Sequence, residues 1–175
     1  MVRGRRNPLF TDFALRLSRA REAADVSGVG LSLSVGMHRA AASDLERGGR
    51  VPRVDTVEKL SNALGVSPCY LAYGIVLPCT DSTGMRFVGL PLRLSEMRAA
   101  RGLSRLELGR LSGTSHTFVR MTESGTTIPN IAKVEQLAKA LQVSVCWLAF
   151  GLGDSELPTH RRRRSDEPPA PEPER

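Results

Sequence analysis

Residues 103–125 read LSRLELGRLSGTSHTFVRMTESG, and the punctuation inside them is helical. Ser104 is a good N-cap for a short helix over 105–111, which Gly113 ends. Ser115 can cap another helix over 116–123, with Val119 facing inward and Gly125 stopping it. Upstream, a helix over 92–101 places Leu94 and Met97 at i, i+3, with Arg98 and Arg101 at its end. Downstream of Pro129, the run IAKVEQLAKAL puts Ile131, Val134, Leu137, Ala138 and Leu141 on one face. A last helix over 145–150 follows Ser144 and ends at Gly151. The expectation is an all-α unit of five short helices.

The unit occurs twice. A shift of 77 positions aligns 10–74 with 87–151 without a gap, and 24 of the 65 pairs are identical. Among them are Arg16/Arg93, Arg21/Arg98, Gly36/Gly113, Glu46/Glu123, Pro52/Pro129 and Cys69/Cys146. Two copies are too few for a solenoid, so the expected organisation is two small tandem domains, 10–76 and 87–153. Pro78, Asp81, Ser82 and Gly84 mark 77–86 as a linker. The tail, 154–175, runs from Arg161–Arg164 into an acidic, Pro-rich end that cannot form a core and reads as disordered.

Composition narrows the function. Aromatics make up only 5%, so the cores must be built from Leu, Val and Ala, which favours small helical domains. No run approaches the ~18 apolar residues of a membrane span. The basic start MVRGRRNPLF lacks the apolar stretch of a secretory signal, so the expected location is cytoplasmic. Cys69, Cys79 and Cys146 form neither a CxxC pair nor a disulfide framework, and His38, His116 and His160 stand apart. There is no phosphate-binding Gly loop, no GxSxG and no carboxylate pair beside a His. Neither enzymatic activity nor a cofactor or metal is expected. The net charge of +7 is carried mostly by Arg, which suits phosphate forks and guanine edges but also follows from a GC-rich genome.

The order of helix lengths, turn Gly, helix-ending Glu and the closing stretch VSVCWLAFG (143–151) resembles the DNA-binding domain of the Cro/cI (Xre) regulators. The resemblance covers both repeats and implies two tandem five-helix, lambda-repressor-like helix-turn-helix domains. It further implies that Arg98 pairs with Glu123, and Arg21 with Glu46, pinning the first helix of each copy to its recognition helix. The implied base-reading residues of the second copy are His116, Thr117, Arg120 and Met121, with Arg105 and Ser115 facing phosphates at two helix starts. Arg120 could fork onto guanine, and Thr117 or Met121 could touch a thymine methyl. Phe118 stands where the family usually has a small polar residue, and either packs beside the backbone or turns inward.

The first copy departs from this pattern. Its second helix, 29–35 (VGLSLSV), contains Gly30, and Gly costs about 1 kcal/mol in a helix interior. Its alternation alone would also suit a strand; the alignment with the second copy decides for helix. Gly28 replaces the polar residue that would hold phosphate, and His38 is placed at the cap of the recognition helix. Arg39 and Ser43 are its candidate base contacts, while Asp44 would face phosphate unfavourably or accept from cytosine. The first copy carries a net +1 and the second +4, so the second is the expected stronger DNA binder. Arg50 and Arg53 in a loop, and Arg3, Arg5 and Arg6 in an N-terminal arm, are further candidate phosphate contacts.

The fifth-helix residues Tyr70/Trp147, Tyr73/Phe150 and Cys69/Cys146 read first as a local core seal and second as an interface. An interface would allow a homodimer or an internal pseudo-dimer of the two repeats. The 12 residues 75–86, the linker with the two residues before it, span at most ~40 Å, and half-sites lie ~34–36 Å apart, so one chain could cover both. The resulting reading is a sequence-specific binder of a double-stranded DNA operator that regulates transcription, repression being favoured. Another regulator or RNA polymerase is a candidate partner. The alternatives are an antitoxin-like protein-interaction module whose first repeat has lost DNA binding, and an architectural nucleic-acid protein of little specificity.

Overall fold

The computed structural model describes residues 8–77 and 86–155. Each repeat opens with a short 3-10 turn, Leu9–Asp12 or Arg86–Gly89, followed by five helices. In the first repeat these are α1 (Phe13–Ala23), α2 (Gly28–Ser34), α3 (Ala41–Glu46), α4 (Val54–Leu64) and α5 (Pro68–Tyr73). In the second they are α6 (Leu90–Ala100), α7 (Arg105–Ser112), α8 (His116–Glu123), α9 (Ile131–Leu141) and α10 (Val145–Phe150). No strand occurs among the described residues, so 29–35 is helical despite its alternation. The linker core 78–85, the tail beyond 155, and the arm with Arg3, Arg5 and Arg6 lie outside the described residues.

The helix starts of the second repeat are held by side chains. Ser104 and Glu107 form a reciprocal capping box on α7. Ser115, Asn130 and Ser144 each accept from a backbone N–H in the first turn of α8, α9 and α10. Gly113 turns the chain from α7 towards α8 in the left-handed region, at φ 66°. Helix α6 begins at Leu90, two residues before the expected start, because Pro91 suits a first helical turn.

The repeats differ at the turn between their second and third helices. Gly109 of α7 lies so close to the following turn that a Cβ there would sit 3.0 Å from the Thr114 carbonyl and 3.1 Å from the His116 nitrogen. The first repeat has Ser32 at the equivalent position, fully buried, its Oγ donating to the Gly28 carbonyl and accepting from the Ala42 N–H. There the side chain reaches across to the first turn of α3. His38 is not the cap: α3 starts only at Ala41, with Ala40 at the cap position and no side-chain capping bond. Arg39 precedes the helix, and α3 has six residues against eight in α8.

The repeats share one apolar core, and their contacts are reciprocal. The Val54 N–H donates to the Pro129 carbonyl, and the Ile131 N–H donates to the Pro52 carbonyl, each at 3.0 Å. Between them Arg53 and Asn130 form an antiparallel bridge. Glu135 Oε1 accepts from the Leu9 N–H at 3.1 Å, and Glu58 Oε1 accepts from the Arg86 N–H at 2.6 Å. In every case the two halves of the pair are related by the sequence offset, which is the signature of a two-fold relation.

Tyr73 and Phe150 meet across this contact with ring centroids 6.5 Å apart, and the Tyr73 hydroxyl donates to the Ile131 carbonyl at 3.2 Å. Cys69 and Cys146 are both buried, and the hydrogen bond from Cys146 together with burial pushes the Cys69 thiol far up. These side chains join the two repeats, a role the local-core reading did not give them.

Candidate DNA-binding face

The α7–α8 pair is fixed from beneath. Val119 and Thr122 are buried and Phe118 packs, half-buried, against the core. Phe118 is thus the inward alternative. That orientation turns His116, Thr117 and Arg120 outward, all exposed, with Met121 half-buried beside them. They form one row on a helix of eight residues whose first turn is capped by Ser115, which accepts from the Phe118 N–H at 3.1 Å.

The far end of α8 is tied down by charge. Arg98 Nε donates to Glu123 Oε1 at 2.5 Å, and Arg98 Nη1 donates to the Leu103 carbonyl at 2.8 Å. Arg105 Nε donates to the other carboxylate oxygen at 2.6 Å. Arg105 therefore belongs first to the Glu123 pair, with its side chain still 50% exposed. Burial alone would push the Glu123 carboxyl up; the hydrogen bonds from Arg98 and Arg105 outweigh it and hold the group below its usual range. In the first repeat Arg21 Nε donates to Glu46 Oε1 at 2.6 Å, but Gly28 stands where Arg105 does, and that carboxylate has one arginine fewer.

This pair carries a pH consequence. A carboxyl with a depressed folded-state value contributes stability above its unfolded value, about 4.3, and loses it as pH falls through the folded value. The melting temperature of Glu123→Gln should therefore fall less steeply than that of the unmodified chain below about pH 4.3. Parallel curves from pH 6 to pH 3 would count against this coupling.

The reading positions of the first repeat are built differently. Arg39 is exposed but lies ahead of α3. Ser43, half-buried, faces Gly28 closely enough that a Cβ on that glycine would be 3.0 Å from its Oγ. Asp44 is ion-paired to Arg47 on the same helix end. Arg50 is exposed in the following loop. Arg53 pairs with Asp55 at 2.9 Å and sits in the inter-repeat bridge.

Two arginines had no assigned role in the sequence. Arg16 donates to the carbonyls of Leu71 and Ala72, and Arg93 to those of Leu148 and Ala149, which fastens each fifth helix to the first of its repeat. Burial lowers both guanidinium values. Their identity across the repeats was the available signal.

A short helix pair joined at Gly113, a pinned second helix and an outward row of polar and basic side chains define a helix-turn-helix DNA-binding protein. The helix-turn-helix family model of the Cro/cI type matches residues 17–71 and again 94–148, and the chain belongs to that family. It is a DNA-binding regulator of the Xre type. Neither the curated proteins nor the solved structures gave a significant match. Among the described residues, no helix is long and apolar enough to cross a membrane.

Proposed function

We propose that the protein binds double-stranded operator DNA sequence-specifically in the cytoplasm and represses transcription by occlusion, with 10–76 and 87–153 as its two domains. The observation that carries this reading is the exposed row His116, Thr117 and Arg120 on a helix fixed at both ends, by Ser115 and by Glu123. Arg120 can fork onto a guanine O6 and N7, and Ser115 and Arg105 lie at helix starts where phosphate is favoured. Occlusion requires no surface beyond the one that holds the duplex.

Selection of random duplexes at about 150 mM salt tests the reading, since competing phosphate attraction is then largely screened. Arg120→Ala should weaken binding to the selected site by roughly five- to 150-fold, the equivalent of ~1–3 kcal/mol for one bidentate base contact. Binding through about six phosphates should also lose roughly 10³-fold between 50 and 200 mM salt. An unselective population, or an affinity that Arg120→Ala leaves unchanged, would sink it.

A second reading has its own observation. Helix α2, GVGLSLS, exposes Val29 and Leu33 and carries no charge, whereas α7, which exposes Leu106 and Leu111, also carries Arg105, Glu107 and Arg110. A protein partner, such as another regulator or RNA polymerase, would suit that face better than phosphate does. It predicts little affinity for DNA by the first repeat alone.

A further inference from the structure

Resting on the DNA-binding reading above, we infer that a single chain grips the duplex with two unequal heads: α8 discriminates bases, while the first repeat holds backbone on the adjoining half-site without reading sequence. The chain then needs no second copy and lies on its site in one fixed orientation.

The pairing of the heads comes from the reciprocal bonds between residues 52–54 and 129–131. These bonds lie just beyond the two recognition helices: Glu46 is followed seven residues later by Arg53, and Glu123 by Asn130. Seven residues span at most ~25 Å, so the helix ends are held within about 50 Å of each other. Half-sites one turn apart, ~34–36 Å, fit inside that limit. The two-fold relation is made within the chain, so the surface by which two copies would pair in this way is already occupied.

The inequality comes from what stands at equivalent positions. His116, Thr117, Arg120 and Met121 correspond to Arg39, Ala40, Ser43 and Asp44. The long fork of Arg120 is replaced by a Ser lodged against Gly28, and the Met121 position by a carboxylate already paired to Arg47. Arg39 stands on a turn and not on the helix, since α3 starts only at Ala41. The positive charge has moved as well. Arg101, Arg105 and Arg110 of the second repeat are Ala24, Gly28 and Leu33 in the first, while Ser124 and Thr127 of the α8–α9 loop correspond to Arg47 and Arg50. With Arg47 paired to Asp44, the first repeat keeps the exposed Arg50 in the loop that leads to the two-fold bridge and lacks cations on α2 and α3. Cations so placed neutralise phosphate, which attracts every sequence alike.

The test combines selection, footprinting and stoichiometry on the full chain. The expected result is one block of enriched bases, displaced to one end of a protected region about two half-sites long, with one chain per duplex by sedimentation. Arg120→Ala should erase the block. Arg50→Ala should leave the block intact, weaken binding to selected and unselected duplexes by the same factor, and lower the salt slope by about one. Two mirrored blocks, or two chains per site, would overturn the inference while leaving the DNA-binding reading in place. Absence of binding to any duplex at 50 mM salt would overturn both.

Discussion

Glu123→Ala should lower the stability of the folded chain by about 3–5 kcal/mol, the range for removing one partner of a buried ion pair. The carboxylate is 3% exposed and Arg98 16%, so the alanine variant leaves a guanidinium largely out of water without its counter-charge. Arg105 contributes less, because half its side chain already meets solvent; Arg105→Ala should cost at most about 1 kcal/mol. Glu46→Ala should fall between them. Its carboxylate is more open than that of Glu123 and is held by Arg21 with no counterpart of Arg105. Urea denaturation of the three variants ranks them directly, and a loss for Glu46→Ala as large as that for Glu123→Ala would refute the two-arginine account. DNA affinity adds a second readout. At a temperature where Glu123→Ala remains folded, α8 has lost its anchor to α6 and α7, so binding to a selected duplex should drop further than it does for Arg105→Ala.

Much of this architecture was legible because the chain states it twice. Ser104, Gly113, Ser115 and Gly151 mark helix ends in the second copy, and the gapless alignment carries the helix assignment into α2, whose own composition is ambiguous. What stayed hidden depends on contacts between segments distant in sequence. That Arg105 turns back to Glu123 follows from the packing of α7 against the end of α8 and not from spacing. The late start of α3 is not marked in the sequence: Ser32 stands where a Cβ on Gly109 would come within 3.0 Å of the next turn, a closeness visible only in the folded chain. Identity between Pro52 and Pro129 marks a shared position; only the folded chain reveals that these two positions bond to each other's neighbours.

Phe150→Ala, in turn, should cost about 3–5 kcal/mol, as expected for truncating a fully buried aromatic side chain whose surroundings cannot collapse. Phe150 is 1% exposed and packs on Tyr73 of the other repeat, next to the Cys69–Cys146 contact. Collapse is restrained from several sides. Arg93 holds the carbonyls of Leu148 and Ala149, the Tyr73 hydroxyl is committed to the Ile131 carbonyl, and Gly151 closes the helix at φ 65°. Because both repeats contribute to one core, the unmodified chain should unfold in one transition. Weakening the shared contact should let the first repeat, with two glycines in α2 against one in α7 and a shortened α3, melt before the second. Calorimetry would then resolve two transitions in Phe150→Ala, whereas Tyr73→Phe, which removes one hydroxyl and keeps the ring, should retain one transition at a cost of about 1 kcal/mol. The consequence for DNA follows from the same contact. Once the heads are no longer held in register, the protected region should shrink towards the block read by α8 while the enriched bases stay the same. A full-length footprint in a Phe150→Ala protein that melts in two steps would mean that the inter-repeat core does not set the spacing of the heads.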